Sequence, residues 1–108
     1  MMRKVECFLQ PSKLEKIRDM LIKMGIEGMT VANVRGFGTR SQMKGGVPQF
    51  EDRVKVEIVV DEAKVDDTIK GIKGLAGSGT IGAGIIFVIP VEDAVRLSTR
   101  EQGKSAIF

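Results

Sequence analysis

The chain has 108 residues, with 17 Lys+Arg against 14 Asp+Glu and no His, Trp or Tyr, for a net charge of +3. Its 43% apolar share supports one core rather than two, so a single domain over residues 1–108 is expected, and 29% charged residues of mixed sign fit a folded chain rather than a disordered one. Without His there is no Ser-His or Cys-His nucleophile pair, and with one Cys there is no internal disulfide or thiolate zinc cage, so neither an enzyme nor a metal site is expected.

Val5, Cys7 and Leu9 alternate with Lys4, Glu6 and Phe8, which predicts a strand with Cys7 in the core. Ser12-Lys13-Leu14-Glu15 has the spacing of a capping box and predicts a helix carrying Leu14, Ile17, Leu21 and Met24 on one face, ended by Gly25. Met29 to Phe37 reads as a second strand, and a polar, glycine-bearing stretch follows from Gly38 to about Asp52. At about fifteen residues, this loop far exceeds the usual 4–6 and points to function. Val54, Val56, Ile58 and Val60 share one face of the clearest strand, Arg53 to Val60. Asp61 is placed to cap a second helix with Val65, Ile69, Ile72 and Leu75 or Ala76 inward. Gly71 and Gly74 weaken that helix by about 1 kcal/mol each relative to Ala, so packing must hold it. A glycine-rich loop at about 77–84 precedes a last strand, Ile85 to Ile89, closed by Pro90, and the C-terminal segment 91–108 carries Arg96, Arg100 and Lys104.

The order β-α-β, β-α-β predicts an α+β fold, the ferredoxin-like βαββαβ, with a four-stranded antiparallel sheet and two helices on one face. The other sheet face would be bare, and the last strand is apolar on both sides, as are Phe8 and Val59 toward that face. An exposed apolar face of that size predicts an oligomer, against a monomer whose C-terminal segment folds over the sheet. Arg3, Lys4 and Glu6 interrupt the start, so no leader is expected. The most apolar stretch, Ile81 to Val91, is far short of the roughly 20 residues that span a bilayer; a cytoplasmic protein is expected.

Three segments carry possible chemistry: Gly36-Phe37-Gly38-Thr39-Arg40 at a strand end, Gly79 to Gly84 with backbone amides open to phosphate, and the terminal cations. Gly82-Ala83-Gly84 precedes a strand rather than a helix, so it is not a dinucleotide fingerprint, and no Gly-Lys-Ser/Thr makes a Walker loop. A base-stacking RNA-recognition module, with the same topology, would need aromatics on the central strands; Val54 to Val60 has none. An acylphosphatase-type enzyme would need an anion cradle directly after the first strand, where Gln10-Pro11-Ser12 stands instead.

In sequence, Gly28-Met29-Thr30-Val31, Val34-Arg35-Gly36-Phe37-Gly38, Val54 to Val60, Ile81-Gly82 with Gly84, Ile86 to Val91, Val95-Arg96, Gly103 and Ala106-Ile107 resemble the P-II signal-transduction family over almost the whole chain. The resemblance implies a homotrimer that binds the adenine nucleotides ADP, AMP or ATP in clefts between subunits. It also implies a T-loop, about 39–52 here, that contacts a regulated transporter or enzyme, with no nucleic acid and a membrane reached only through such a partner. No catalytic cofactor is implied. By the same resemblance Thr30 would contact adenine, Gly36, Phe37 and Gly38 would wall the cleft, Gly82, Ala83 and Gly84 would offer amides, and Arg96 would bind phosphate. Thr39 and Arg40 stand where the family has Arg-Gln, and Arg40 would be a phosphate ligand on the loop, opposing magnesium. Arg53, with Arg40, would accept a small anion such as bicarbonate or an oxoacid; alternatively Arg53 is a solvated strand-end charge. Ile85 replaces the family's phosphate-gripping Lys, and Ser98 replaces the second of its paired arginines. With no Tyr the usual uridylylation has no acceptor. Gly38-Thr39-Arg40 and Gly45-Gly46-Val47-Pro48 look like the P-II-like proteins of bicarbonate transporters and carboxysomes, without the C-terminal cysteine pair of some members. The alternative is an ordinary nitrogen-regulatory P-II sensing ATP and 2-oxoglutarate.

Overall fold

A computed structural model describes residues 1–38, 41–77 and 84–108. The strands are β1 (Met2–Leu9), β2 (Thr30–Gly36), β3 (Met43–Lys44), β4 (Val47–Pro48), β5 (Glu51–Asp61) and β6 (Gly84–Val91), and the helices are α1 (Leu14–Lys23) and α2 (Val65–Ala76). The main sheet runs β2-β5-β1-β6 with every pair antiparallel, so β1 and β2 lie parallel with β5 inserted between them. This is the ferredoxin-like split βαβ that the element order implied.

The period-2 pattern places Val5, Cys7 and Leu9 of β1 and Val54, Val56, Ile58 and Val60 of β5 on one face, all buried. Ile17 and Leu21 of α1 and Ile72 and Ala76 of α2 complete that core. The helices touch at Gly71, where a Cβ would stand 2.7 Å from Met20 Sδ, so the weak helix former is held by packing. Thr68, a polar residue on the buried stripe of α2, is satisfied locally: its hydroxyl donates to Lys64 O at 2.7 Å.

Three local expectations change. Ser12 does not cap α1; it lies inside a 3-10 turn, Pro11–Lys13, and no side chain caps either start. Pro11, with φ already helical, begins the turn before Ser12 can take the extended backbone a cap requires. Asp61 caps not α2 itself but the 3-10 turn Glu62–Lys64 that leads into it, its side chain accepting from Ala63 N–H at 3.3 Å. Pro90 does not close the last strand but sits within it, opposite Arg3, which an edge strand tolerates. The long loop is not wholly irregular: β3 and β4 form a hairpin through Gly45-Gly46, both at positive φ (59° and 79°), the backbone of a type I′ turn.

The large exposed apolar side chains of the helix-free face lie on its β6 side, where Ile85, Phe87 and Ile89 are exposed and Phe8 meets Phe87 edge-on at 6.3 Å. Its centre is ionic: Lys4 Nζ lies 2.9 Å from Glu57 and 3.6 Å from Glu6, and Lys55 lies 3.4 Å from Glu57. At one end Lys104 of the C-terminal segment reaches Asp61, the partner of Met2 in the sheet, and both Met2 and Ala106 are buried. No helix among the described residues is long and apolar enough to cross a membrane.

Candidate functional site

The turn after α1 sets one wall of a cleft. Gly25 N–H donates to Ile22 O and Ile26 N–H to Leu21 O, a Schellman ending that turns the chain and packs Ile26 on the core. Gly28, Met29 and Thr30 then enter β2 along a cleft of about 980 Å³. Lys4, Glu57 and Val59 form its floor, and Arg96, Ser105 and Ile107 line its far side. The Lys4–Glu57 pair shifts both groups: the carboxylate's hydrogen bond and charge raise the Lys4 ammonium, and Lys4 lowers the Glu57 carboxyl.

Arg96 is set by a small hairpin in the C-terminal segment. Val95 bridges Gln102, Arg96 N–H donates to Glu101 O at 2.8 Å, and Gly103 N–H donates to Ala94 O at 2.9 Å. Arg96 Nε donates to Ala106 O at 2.7 Å, which ties the segment's end to the guanidinium and leaves its terminal nitrogens for an anion. Lys104 Nζ lies 2.8 Å from Asp61 Oδ1, and that ammonium, with the Ala63 N–H, holds the Asp61 carboxyl below the ordinary aspartate range. Thr30 and Arg96, assigned to adenine and phosphate, thus line one cleft.

The remaining assigned residues stand elsewhere. Gly36 pairs with Glu51, and Gly84 with Leu9, at the opposite end of the sheet from Thr30 and Asp61. Thr30 and Gly36 are the first and last residues of β2, six steps apart, roughly 20 Å of extended chain. Phe37 packs edge-on against Phe50 at 5.5 Å, and Gly38 N–H donates to Ser41 Oγ at 2.7 Å. Arg53 is not a free strand-end charge: it contacts Glu51 Oε2 at 2.7 Å and Asp52 O at 2.7 Å. Gly84 has φ +129°, and a Cβ there would lie 2.1 Å from Phe8 O, so strand packing alone requires this glycine. Thr39, Arg40, Gly82 and Ala83 lie outside the described residues. Cys7 has no part in the site; burial, with the Glu6 charge second, pushes its thiol up to about 11.

The expectations from sequence omitted Lys4, Glu57, Lys64 and the C-terminal Ile107-Phe108, all of which line the cleft. The signal for the first two was their parity: both are charges on the strand face opposite the core. Nothing local marked the last two, which arrive through the fold of the C-terminal segment.

The sequence profile of the family Nitrogen regulatory protein P-II matches residues 2–101. Nitrogen regulatory protein P-II of Synechocystis is 40% identical over 98% of this chain and all of its own length, and that of Azospirillum brasilense is 38% identical over the same shares. A P-II homolog of Arabidopsis thaliana is 41% identical over 95% of this chain and 56% of its own length. The crystal structure of Arabidopsis P-II bound to citrate superposes with a TM-score of 0.83 at 40% identity, over 97% of this chain and 91% of that one.

Proposed function

Because the chain belongs to the nitrogen regulatory protein P-II family, we propose that it is a homotrimeric signalling protein that binds an adenine nucleotide (ADP, AMP or ATP) between subunits and reports its occupancy through the loop 39–52. The observation that carries this reading is the division of the assigned residues. Thr30 and Arg96 share a cleft at one end of the sheet, while Gly36, Phe37, Gly38 and Gly84 gather at the other. A protomer therefore offers two half-sites, and one ligand meets both only where the cleft end of one copy faces the loop end of the next. The apolar strip of Phe8, Ile85, Phe87 and Ile89 supports burial of the sheet face against further copies.

On this reading Thr30 reads the adenine edge, and Arg96, already aimed by Ala106 O, binds phosphate with Arg40 from the adjoining copy. Backbone amides of 82–84 add donors. Arg53 takes a small planar anion, bicarbonate or an oxoacid. The loop exposes Met43 and Val47 on the β3–β4 hairpin and the Phe37–Phe50 pair, apolar contacts for a regulated transporter or enzyme. The protein acts as a regulator in the cytoplasm, without a catalytic cofactor. Its text at 38–40 and 45–48 supports a link to inorganic carbon, with bicarbonate as co-ligand.

Isothermal calorimetry with AMP, ADP, ATP and cyclic AMP, with and without bicarbonate and 2-oxoglutarate, tests the reading together with sedimentation. Micromolar to millimolar adenylate binding by a trimer is the expected result; a monomer that binds none of the four overturns it. The second reading, nitrogen control through ATP and 2-oxoglutarate, is favoured by the names of the relatives and by the citrate carried by the Arabidopsis protein. Synergy of ATP with 2-oxoglutarate, and none with bicarbonate, would select it.

A further inference from the structure

Two helices cover a sheet of four strands, and the edge strand β6 is left without one. Gly84, Ile86 and Val88 of β6 pair with Leu9, Cys7 and Val5 of β1, so they lie on the same side of the sheet as the core. α2 packs over β1, which leaves Ile86 half-buried and Val88 43% exposed. The result is a groove of about 340 Å³ between α2 and β6. Leu9, Ile72 and Ala76, all buried, line its depth, and Ile69, Ile86 and Val88 line its sides. Gly84 adds no side chain opposite Leu9, and Ala76 adds only a methyl, so the space stays open. Lys73, in the last turn of α2, is the one charged residue among the described residues of the lining.

Size and charge name the occupant. The volume lies at the lower end of the roughly 300–1,000 Å³ of small-molecule sites, and it is too small for the row of anchor side chains that a docked helix presents. Apolar walls with a single cation match a molecule divided in the same way, a hydrocarbon chain ending in one anionic oxygen group. The carbonyls at the end of α2 oppose an anion with a partial charge only. One of them, Lys73 O, already accepts from Gly77 N–H at 2.9 Å, so the unit charge of Lys73 prevails. From this we infer that the groove between α2 and β6 binds a medium-chain acyl carboxylate, its chain on Leu9, Ile72 and Ile86 and its carboxylate on the Lys73 ammonium. The groove shares no residue with the Thr30–Arg96 cleft and lies on the face opposite Phe87 and Ile89. The inference therefore goes beyond the nucleotide reading and does not rest on it.

The test is a methyl-detected NMR titration of the full chain, with calorimetry, using octanoate below its micelle concentration. Octanol probes the head group and butanoate the chain. The same titrations are run on Lys73→Gln, Lys70→Gln and Val88→Phe. Expected is saturable octanoate binding with shifts concentrated at the methyls of Ile69, Ile72, Ile86 and Val88, and at least tenfold weaker binding of octanol and butanoate. Lys73→Gln should weaken octanoate about tenfold, to the level of octanol. Lys70→Gln removes a neighbouring charge of α2 that does not line the groove, so it should leave the affinity unchanged and separates a head-group contact from general electrostatics. Val88→Phe fills the groove from an exposed strand position and should abolish binding. Four results overturn the inference: no saturable shift at those four residues, whether the groove is closed or held by another chain; octanol as tight as octanoate; an equal loss in Lys70→Gln; or shifts centred on Ile89, on the other face of β6. Lys73 is exposed, so its variant reports on binding even if Val88→Phe fails to fold. The adenylate titrations succeed or fail independently, since none of the substituted residues lines the Thr30–Arg96 cleft.

Discussion

The two ends of the sheet are built on different principles. At the Thr30 end the cleft is made of side chains held by long-range ties: Arg96 to Ala106 O, Lys104 to Asp61, Lys4 to Glu57. At the Gly36 end the backbone sets the geometry, in the Gly45-Gly46 turn and the close approach of Gly84 to Phe8 O, with one short-range side-chain pair, Glu51–Arg53. The first end is therefore a formed cleft whose parts come from distant sequence, and the second is a hairpin whose shape is encoded locally. A sensor needs both, a surface that holds its shape when ligand arrives and a segment that changes when it does.

Substitutions sort by this contrast, and the largest effect falls where backbone meets backbone. Gly84→Ala places a Cβ against the Phe8 carbonyl at a φ that only glycine adopts readily; a loss of about 3 kcal/mol is expected in urea unfolding. A loss below about 1 kcal/mol would show that the start of β6 shifts freely. Arg96→Ala comes next. It removes a cation aimed into the cleft and leaves Ala106 O without its donor, so adenylate affinity should fall by about tenfold or more. Unchanged affinity would take Arg96 out of the half-site. Gly46→Ala puts a side chain at φ +79° and should cost the hairpin about 1 kcal/mol locally, seen as faster amide exchange at Gln49 without a change in global unfolding. Were global stability to fall with it, the hairpin would be part of the cooperative core. The smallest effect is electrostatic. Asp61 is lowered first by Lys104 and then by the Ala63 N–H, so its contribution to stability is present above the unfolded-state value of about 3.9 and is lost as pH falls through the lower folded-state value. Lys104→Ala should move the Asp61 titration up toward the ordinary value in a carbon-detected NMR titration, with the C-terminal segment loosened at neutral pH.

The elements and the core were legible because each is a short-range pattern. Alternation in 5–9 and 54–60 and the 3.6 period of Ile17–Leu21 and of Ile72–Ala76 name the buried face without any tertiary information. The Ser12 box misled because Pro11 has the stronger local rule: it sets a helical φ one residue earlier than the cap would begin. The helix-free face was read as apolar from β6 and Phe8, whereas Lys4, Glu6, Lys55 and Glu57 occupy its centre; alternation gave their side but not their pairing across strands. Arg53 read as either a ligand or a solvated charge, and its capture by Glu51 lies two residues away on one strand face, a spacing that strands make common and that alone predicts no contact.

Sequence alone determined the fold class, the family resemblance and the absence of a tyrosine acceptor, because periodicity, motif order and composition are properties of the chain taken in order. Tertiary structure decided that Thr30 and Arg96 share a cleft, that Gly36 and Gly84 stand at the other end, and that Lys104 reaches Asp61. The physical reason is that strand register and the path of the C-terminal segment set these distances, and both follow from the summed packing of the whole core rather than from any residue's neighbours in sequence.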